Sequence, residues 1–337
     1  MQNVTRKAFN AYLGQLATLN QVEGVASKFS VAPSVQQKLE TRMQESSDFL
    51  KRINMVPVDD AMGAKLGLGI GGSSASTTDT TVKARETSDT STLDDTQYHC
   101  QQTNFDSHIR YQKLDLWAKF PDFQTRVRDA LVLRQALDRI TIGFNGRTRA
   151  ATSDRTQNPL LQDVGIGWLQ KYRNDAPARV MAEGATAGKI KVGAGGDYRN
   201  LDAVVMDAVS SLLAPWHSQN TALVAIVGSD LLHDKYFPLV NGDNVPSEQL
   251  AAQMIVSQKR IGNRMAVTVP YFPANAIFVT TFDNLSVYYQ TGGRRRHIID
   301  NPTRDRIENF ESSNDDFVVE DYGMGCLIEN IELVEGA

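Results

Sequence analysis

From Ser73 to Thr92 the chain offers Val82 as its single large apolar side chain, and Ser, Thr and Asp fill most of the rest. A run this long and polar cannot bury enough surface to offset the entropy lost on ordering it. It must therefore project from whatever body its flanks build. Both flanks favour β structure. Met55 to Val58 reads as a short strand before the run. After it, a strand pattern resumes near Tyr98 and continues through "TNFDSHIRYQKLDLWAK", where Phe105, Ile109, Tyr111, Leu114 and Leu116 supply apolar β-formers. Two such legs around a polar tip describe a long hairpin arm.

Glycines crowd the outward leg. Gly67-Leu68-Gly69-Ile70-Gly71-Gly72 satisfies the dinucleotide pattern G-x-G-x-x-G. That pattern works only when a helix opens at the last glycine and turns its N-terminus to the pyrophosphate. Here "SSASTTDTT" follows, and these residues favour caps and turns over helix interiors. The nucleotide-binding reading loses its helix, and Gly67, Gly69, Gly71 and Gly72 are assigned to the hairpin near its tip. Gly193 to Gly196 lacks the Lys-Ser/Thr of a phosphate loop and reads as a turn ahead of the next helix.

Other chemistries fare no better. The histidines form no H-E-x-x-H, and His99 beside Cys100 would point to opposite faces of a strand. No G-x-S-x-G elbow is present. The pairs Asp59-Asp60, Asp94-Asp95 and Asp315-Asp316 sit in polar surroundings and read as solvated surface charge. No catalytic residue, metal ligand or cofactor is expected, and the chain is not read as an enzyme.

The remainder alternates helices and strands, an α+β pattern. Phe9, Tyr12, Leu13, Leu16 and Leu19 recur at helical spacing. A joint of small residues, "EGVASKFSVAPS", separates them from a second helical run over Val35 to Ile53. Neither stripe can be buried within its own helix, so both need a body, their own or another chain's. "FPDFQTRVRDALVLRQALDRITIGFNG" is the longest helix, a rod of roughly 30–35 Å. Asp122 is its candidate N-cap and Gly143 or Gly146 its stop. Phe123, Val127, Ala130, Leu131, Leu137 and Ile140 line one side, with Arg126, Arg128, Arg134 and Arg139 around the rest. A further helix covers Leu201 to Leu213, before Pro215, and Ala222 to Gly228 reads as a buried strand. Strands follow at Met265 to Val269, Ala276 to Thr281 and Leu285 to Gln290, the last turning at Gly292-Gly293 into Arg294-Arg295-Arg296. That basic run reads as a solvated hairpin or a salt-bridge partner for a neighbouring subunit. With a net charge of −4 the molecule has no overall attraction to polyanions. Two cysteines make no disulfide framework, which fits a reducing cytoplasm. No stretch approaches the length needed to span a membrane.

The segments "MQESSDFLKRIN", "YQKLDLWAKFPDFQTRVR", "NPLLQDVGIGWLQKYRNDAPARVM", "SQKRIGNRMAVTVPYFPA" and "FVVEDYGMGCLIE" closely resemble the major capsid proteins of Peduovirus-type temperate tailed phages. The likeness runs in order over nearly the whole chain. It implies the Hong Kong 97 capsid fold. Residues 1–53 would be the N-terminal arm, 54–115 the extended hairpin (E-loop) and 116–200 a peripheral domain on the long spine helix. Residues 201–300 would form the axial domain and 301–337 the closing strands. It also implies self-assembly into hexamers and pentamers of an icosahedral head, built in the bacterial cytoplasm and ending in the virion. The implied partners are other copies of the chain, an internal scaffold that is also a protease, a portal at one vertex, and packaged double-stranded DNA by non-specific contact, with no membrane. Processing would fall near Phe29-Ser30, and Phe9, Tyr12, Leu13 and Leu16 would form a docking face for scaffold or a neighbouring chain. Lys83 lies in the region where some phages of this fold form an isopeptide cross-link, but nothing marks the other two partners that bond needs, so it is read as a solvated lysine.

Overall fold

The structure is a computed structural model that describes residues 1–65, 67–70, 75–87, 91–94, 97–118, 120, 123–233, 235 and 259–334. The helices are α1 (Asn3–Asn20), α2 (Pro33–Glu45), α3 (Tyr111–Trp117), α4 (Phe123–Asn145), α5 (Trp168–Asp175) and α6 (Leu201–Leu212). The first eight strands are β1 (Phe29–Ser30), β2 (Asn54–Val58), β3 (Met62–Ala64), β4 (Gly67–Ile70), β5 (Ser91–Asp94), β6 (Gln97–His99), β7 (Gln101–Asn104) and β8 (Ser107–Arg110). Then come β9 (Val180–Met181), β10 (Ile190–Gly193), β11 (Val224–Val227), β12 (Arg260–Ile261), β13 (Arg264–Val267) and β14 (Ile277–Thr280). The chain closes with β15 (Leu285–Gln290), β16 (Arg295–Asn301), β17 (Arg306–Val319), β18 (Cys326–Ile328) and β19 (Ile331–Val334).

Two sheets carry the body. The larger runs β1-β16-β17-β15-β2, with β7 and β8 on the other edge of β17. The smaller runs β12-β13-β11-β14-β18-β9 and mixes parallel with antiparallel pairs. All four residues of β11 are buried, as its unbroken apolar run requires. Val224 and Ile226 enter one core with α4, α5 and the large sheet, while Ala225 and Val227 enter a second core under α6. Alternate side chains of a strand face opposite ways, so a single strand divides the two cores.

The long helix is a true spine: Val132, Ala136, Ile140 and Phe144 run along it into the first core. Gly143 does not stop it. It makes a notch in which the Trp168 ring sits, so close that a Cβ at 143 would come within 2.2 Å of a ring carbon. Trp168 itself has no exposed surface and donates its indole N–H to the Ser286 carbonyl at 3.0 Å. Gly143→Ala is therefore expected to lower stability by about 1–3 kcal/mol through overpacking. Calorimetry of the purified subunit checks this; an unchanged melting temperature would mean that the notch relaxes freely.

Local chemistry moved two boundaries. The second helix ends at Glu45, not Ile53, because Ser46-Ser47-Asp48 favours turns, and Ser46 bonds the Met43 carbonyl at 2.7 Å. Phe49, Leu50 and Ile53 are still buried, delivered by the turn that follows. The returning β pattern stops at Arg110. Tyr111 and Leu114 sit on α3 at i,i+3 spacing with both side chains buried, and Leu116 faces outward. A further helix, α5, lies between the spine and α6. Asp122 lies outside the described residues.

Candidate functional site: hairpin, N-terminal segment and buried ion cluster

The projecting hairpin is built as its sequence demands. β3 pairs antiparallel with β6, and β4 with β5. Met62 faces His99 and Ile70 faces Ser91 in one register, with no residue gained or lost between the two pairs. Gly67 and Gly69 thus lie within a strand, which is where the dinucleotide reading fails outright. Gly71 and Gly72 lie outside the described residues. Beyond the strands, residues 75–87 carry almost entirely exposed side chains, Val82 at 84%. Lys83 is likewise exposed and pairs with Glu86 at 2.8 Å. None of the hairpin's side chains beyond Lys65 belongs to a core among the described residues.

The hairpin's root is firmly held. Lys65 is buried and donates to the Val319 carbonyl at 2.7 Å. Tyr98 packs against Tyr288 with ring centres 5.2 Å apart. His99 is exposed while the neighbouring Cys100 is buried, the opposite faces expected of adjacent strand residues. Burial, with Asp316 and Asp315 nearby, pushes the Cys100 thiol up to about 12, so it is not a nucleophile at neutral pH.

The N-terminal segment corrects one expectation. Phe9 and Tyr12 are not an open face: both are buried in a cluster with Val25, Phe29, Val31, Tyr111, Leu114, Val127, Ile298 and Ile307. Leu13 and Leu16 pack against the same cluster and are partly covered. The chain's own large sheet, α3 and spine supply the apolar partner that the stripe needed. The joint is ordered as well. Phe29 and Ser30 form β1, paired with Arg296 and Arg295 at the sheet edge, with Phe29 buried and Ser30 exposed.

A cluster of ions ties these parts together, drawn from segments far apart in the chain. Arg139 of the spine and Arg294 are each about 1% exposed, with Glu40, Glu311 and Asp315 beside them. Arg139 clasps Asp315 with two N–H donors, both at 3.0 Å, and bonds Glu40 through Nη1 and Nη2. Arg294 reaches Glu40 at 2.8 Å and Glu311 at 2.7 Å, and donates to Gln135. Arg296 donates to Asn309 at 2.7 Å and to the Tyr12 hydroxyl at 3.3 Å. Three cations thus face three carboxylates with their hydrogen-bonding groups largely met, the condition under which buried charge is tolerated. So Arg139, placed by its spacing off the apolar side of the spine, is buried. The same holds for two of the three in the Arg294–Arg296 run and for Asp315 of an acidic pair, whereas Asp59, Asp60 and Arg295 are exposed as expected. Asp94 has no described side chain, and Asp95 lies outside the described residues.

The cluster has an acid limit. Burial works to raise the Glu311 carboxyl, but Arg294 and Arg296 outweigh it and hold it down to about 2 from an ordinary 4.5. Burial likewise opposes ionisation of Glu40, whose carboxyl Arg139 and Arg294 nevertheless hold below its usual value. A lowered carboxylate stabilises the fold fully above its unfolded pKa and loses that contribution as pH falls through the folded value. Asp315 is displaced upward by burial and by Glu40 despite Arg139, so it works in the opposite sense. Melting temperature is expected to fall between about pH 4.5 and pH 2, with about 3 kcal/mol at stake in Glu311. Calorimetry against pH checks this. The same acid slope in E311Q would show that this carboxyl is not responsible.

Among the described residues the limb beyond Lys65 adds nothing to the apolar clusters of the body on which it is rooted. The family described as phage major capsid protein, P2 family, matches residues 8–331. This chain belongs to that family. It is 56% identical to the capsid protein of Escherichia phage P2 over 99% of this chain and 96% of that one. To the major capsid protein of Serratia phage KSP20 it is 43% identical, over 99% of each. Among solved structures it resembles a chain of the satellite phage P4 procapsid that includes the size determination (Sid) protein, with TM-score 0.82, 53% identity and 99% of both chains covered. A capsid chain of an empty GTA particle shares the fold at TM-score 0.52 and 16% identity, covering 85% of this chain and 90% of that one. The mixed α+β fold is therefore a phage capsid fold, and the chain is a major capsid protein, a component of the virion. The N-terminal helix of this capsid protein is docked on its own body.

Proposed function

We propose that this capsid protein self-assembles into hexamers and pentamers of an icosahedral head that encloses double-stranded DNA. The observation that carries the reading is the hairpin: a single-register limb whose described distal residues belong to none of the three apolar clusters, on a chain that matches a procapsid subunit over 99% of its length. Head-to-tail contact of such limbs closes rings, and one subunit engaging several neighbours gains strength from linked contacts. In this reading the parts correspond to those of the Hong Kong 97 fold: arm at 1–53, E-loop at 54–115, peripheral domain at 116–200, axial domain at 201–300 and closing strands at 301–337. The tip glycines Gly67, Gly69, Gly71 and Gly72 let the limb bend differently at inequivalent positions in the shell. The subunit carries no catalytic role.

Assembly takes place in the host cytoplasm with an internal scaffold and protease and with a portal at one vertex, and DNA touches the shell without sequence preference. Processing near Phe29-Ser30 requires β1 to leave β16 first, since a protease must surround both sides of the bond. For the arm to dock on scaffold or a neighbour through Phe9, Tyr12, Leu13 and Leu16, it must likewise lift from the body. The test is sedimentation and electron microscopy of the protein expressed alone and with its neighbouring head genes. Rings or shells are expected. A small oligomer of fixed size under both conditions would overturn the proposal.

A further inference from the structure

We infer that the groove between α1 and α2 is the docking site of an amphipathic helix from a partner protein, one that carries acidic residues along its edges. Along the edge of its covered face, α1 meets α2 and the start of the spine in a groove of about 370 Å³. Leu16, Val31, Val35 and Leu39 make the floor. Leu19 stands on the wall with 58% of its surface exposed. Leu16 and Leu19 stand i,i+3 on one helix, Val35 and Leu39 i,i+4 on the other, so each wall offers a ridge to a third helix. α2 has 13 residues, a length of about 20 Å, which fits three to four turns of such a guest.

The charge around the mouth identifies the guest. Lys38 and Arg42 stand one turn apart on the exposed side of α2, and among the described residues neither has an ion-pair partner. Arg128 of the spine adds a third cation, which among the described residues pairs with its neighbour Asp129 at 2.9 Å. Arg296, the fourth, is committed inward. Among the described residues no carboxylate lines the groove, on a molecule whose net charge is −4. An apolar floor with a basic rim suits a helix with leucine-type anchors and flanking Glu or Asp. A nucleic-acid backbone would leave that floor unmatched. A second copy docking the same surface would set these cations against their own kind. The groove belongs to one subunit, so the inference stands or falls independently of shell formation.

The test uses two synthetic 14-residue helices with the same leucine stripe, one flanked by Glu and one by Lys. Each carries a fluorophore, and anisotropy is read against the full-length subunit held unassembled at low salt. The Glu peptide is expected to bind at least tenfold more tightly than the Lys peptide. The double variant K38E/R42E, altered only at exposed side chains, is expected to reverse that preference. L19D is expected to weaken the Glu peptide at least tenfold, with circular dichroism confirming that the fold is kept. Equal binding of the two peptides, or a preference that ignores K38E/R42E, would overturn the inference. So would an L19D subunit that binds peptide normally yet no longer associates with itself, since a second copy would then be the occupant.

Discussion

Arg139→Ala is expected to lower the unfolding free energy by about 3–5 kcal/mol, the range for removing one partner of a buried pair. The reason lies in what is left behind. Glu40 would keep Arg294, but Asp315 would keep only hydrogen bonds from Ser313 and its own surroundings, inside a region that water does not reach. The cavity left by the guanidinium adds to the cost. An internal comparison sits on the same helix: Arg134 pairs with Asp138 one turn away, but its side chain is 58% exposed. Arg134→Ala is expected to cost at most about 0.5 kcal/mol. Urea denaturation of both variants decides the matter. Equal losses would mean that the cluster contributes no more than an ordinary surface pair.

The second large effect is on assembly. Gly67 faces Asp94 in the hairpin, so the two can be joined by a two-residue Asn-Gly turn in place of residues 68–93. Such a subunit keeps Lys65, Tyr98 and every member of the three apolar clusters. Its melting temperature is expected to stay within a few degrees of the parent, while ring and shell formation disappears. Sedimentation and calorimetry on the same sample separate the two readouts. Shells of normal size from this variant would show that the limb does not link subunits.

What could be read from the chain followed from local chemistry. The polar run from Ser73 to Thr92 has no folded alternative, so the hairpin was evident. The spine and β15 appeared nearly at full length because their apolar periodicity is continuous. The ion cluster was hidden because its members come from positions 40, 139, 294, 311 and 315, far apart in the chain. An arginine on a helix flank looks solvated until another segment lays a carboxylate over it. One signal was available: Arg139 falls between Ala136 and Ile140, inside the stripe that enters the core, where a side chain cannot reach solvent. The closed N-terminal face was hidden for the same reason. Its apolar spacing demands a partner without saying which chain supplies it, and Ile298 and Ile307 lie far away in sequence.

The two legs of the hairpin enter the large sheet separately, β2 along β15 and β7 along β17. β15 and β17 pair with each other, so two strands stand between the legs. A pull on the limb acts along both strands, at right angles to the antiparallel bonds of β7 and across the slanted parallel bonds of β2. The rungs of each root then share the load together instead of opening singly like a zipper. Tension between neighbours is delivered to the strongest axis of the body, and the subunit behaves under strain as a riveted joint.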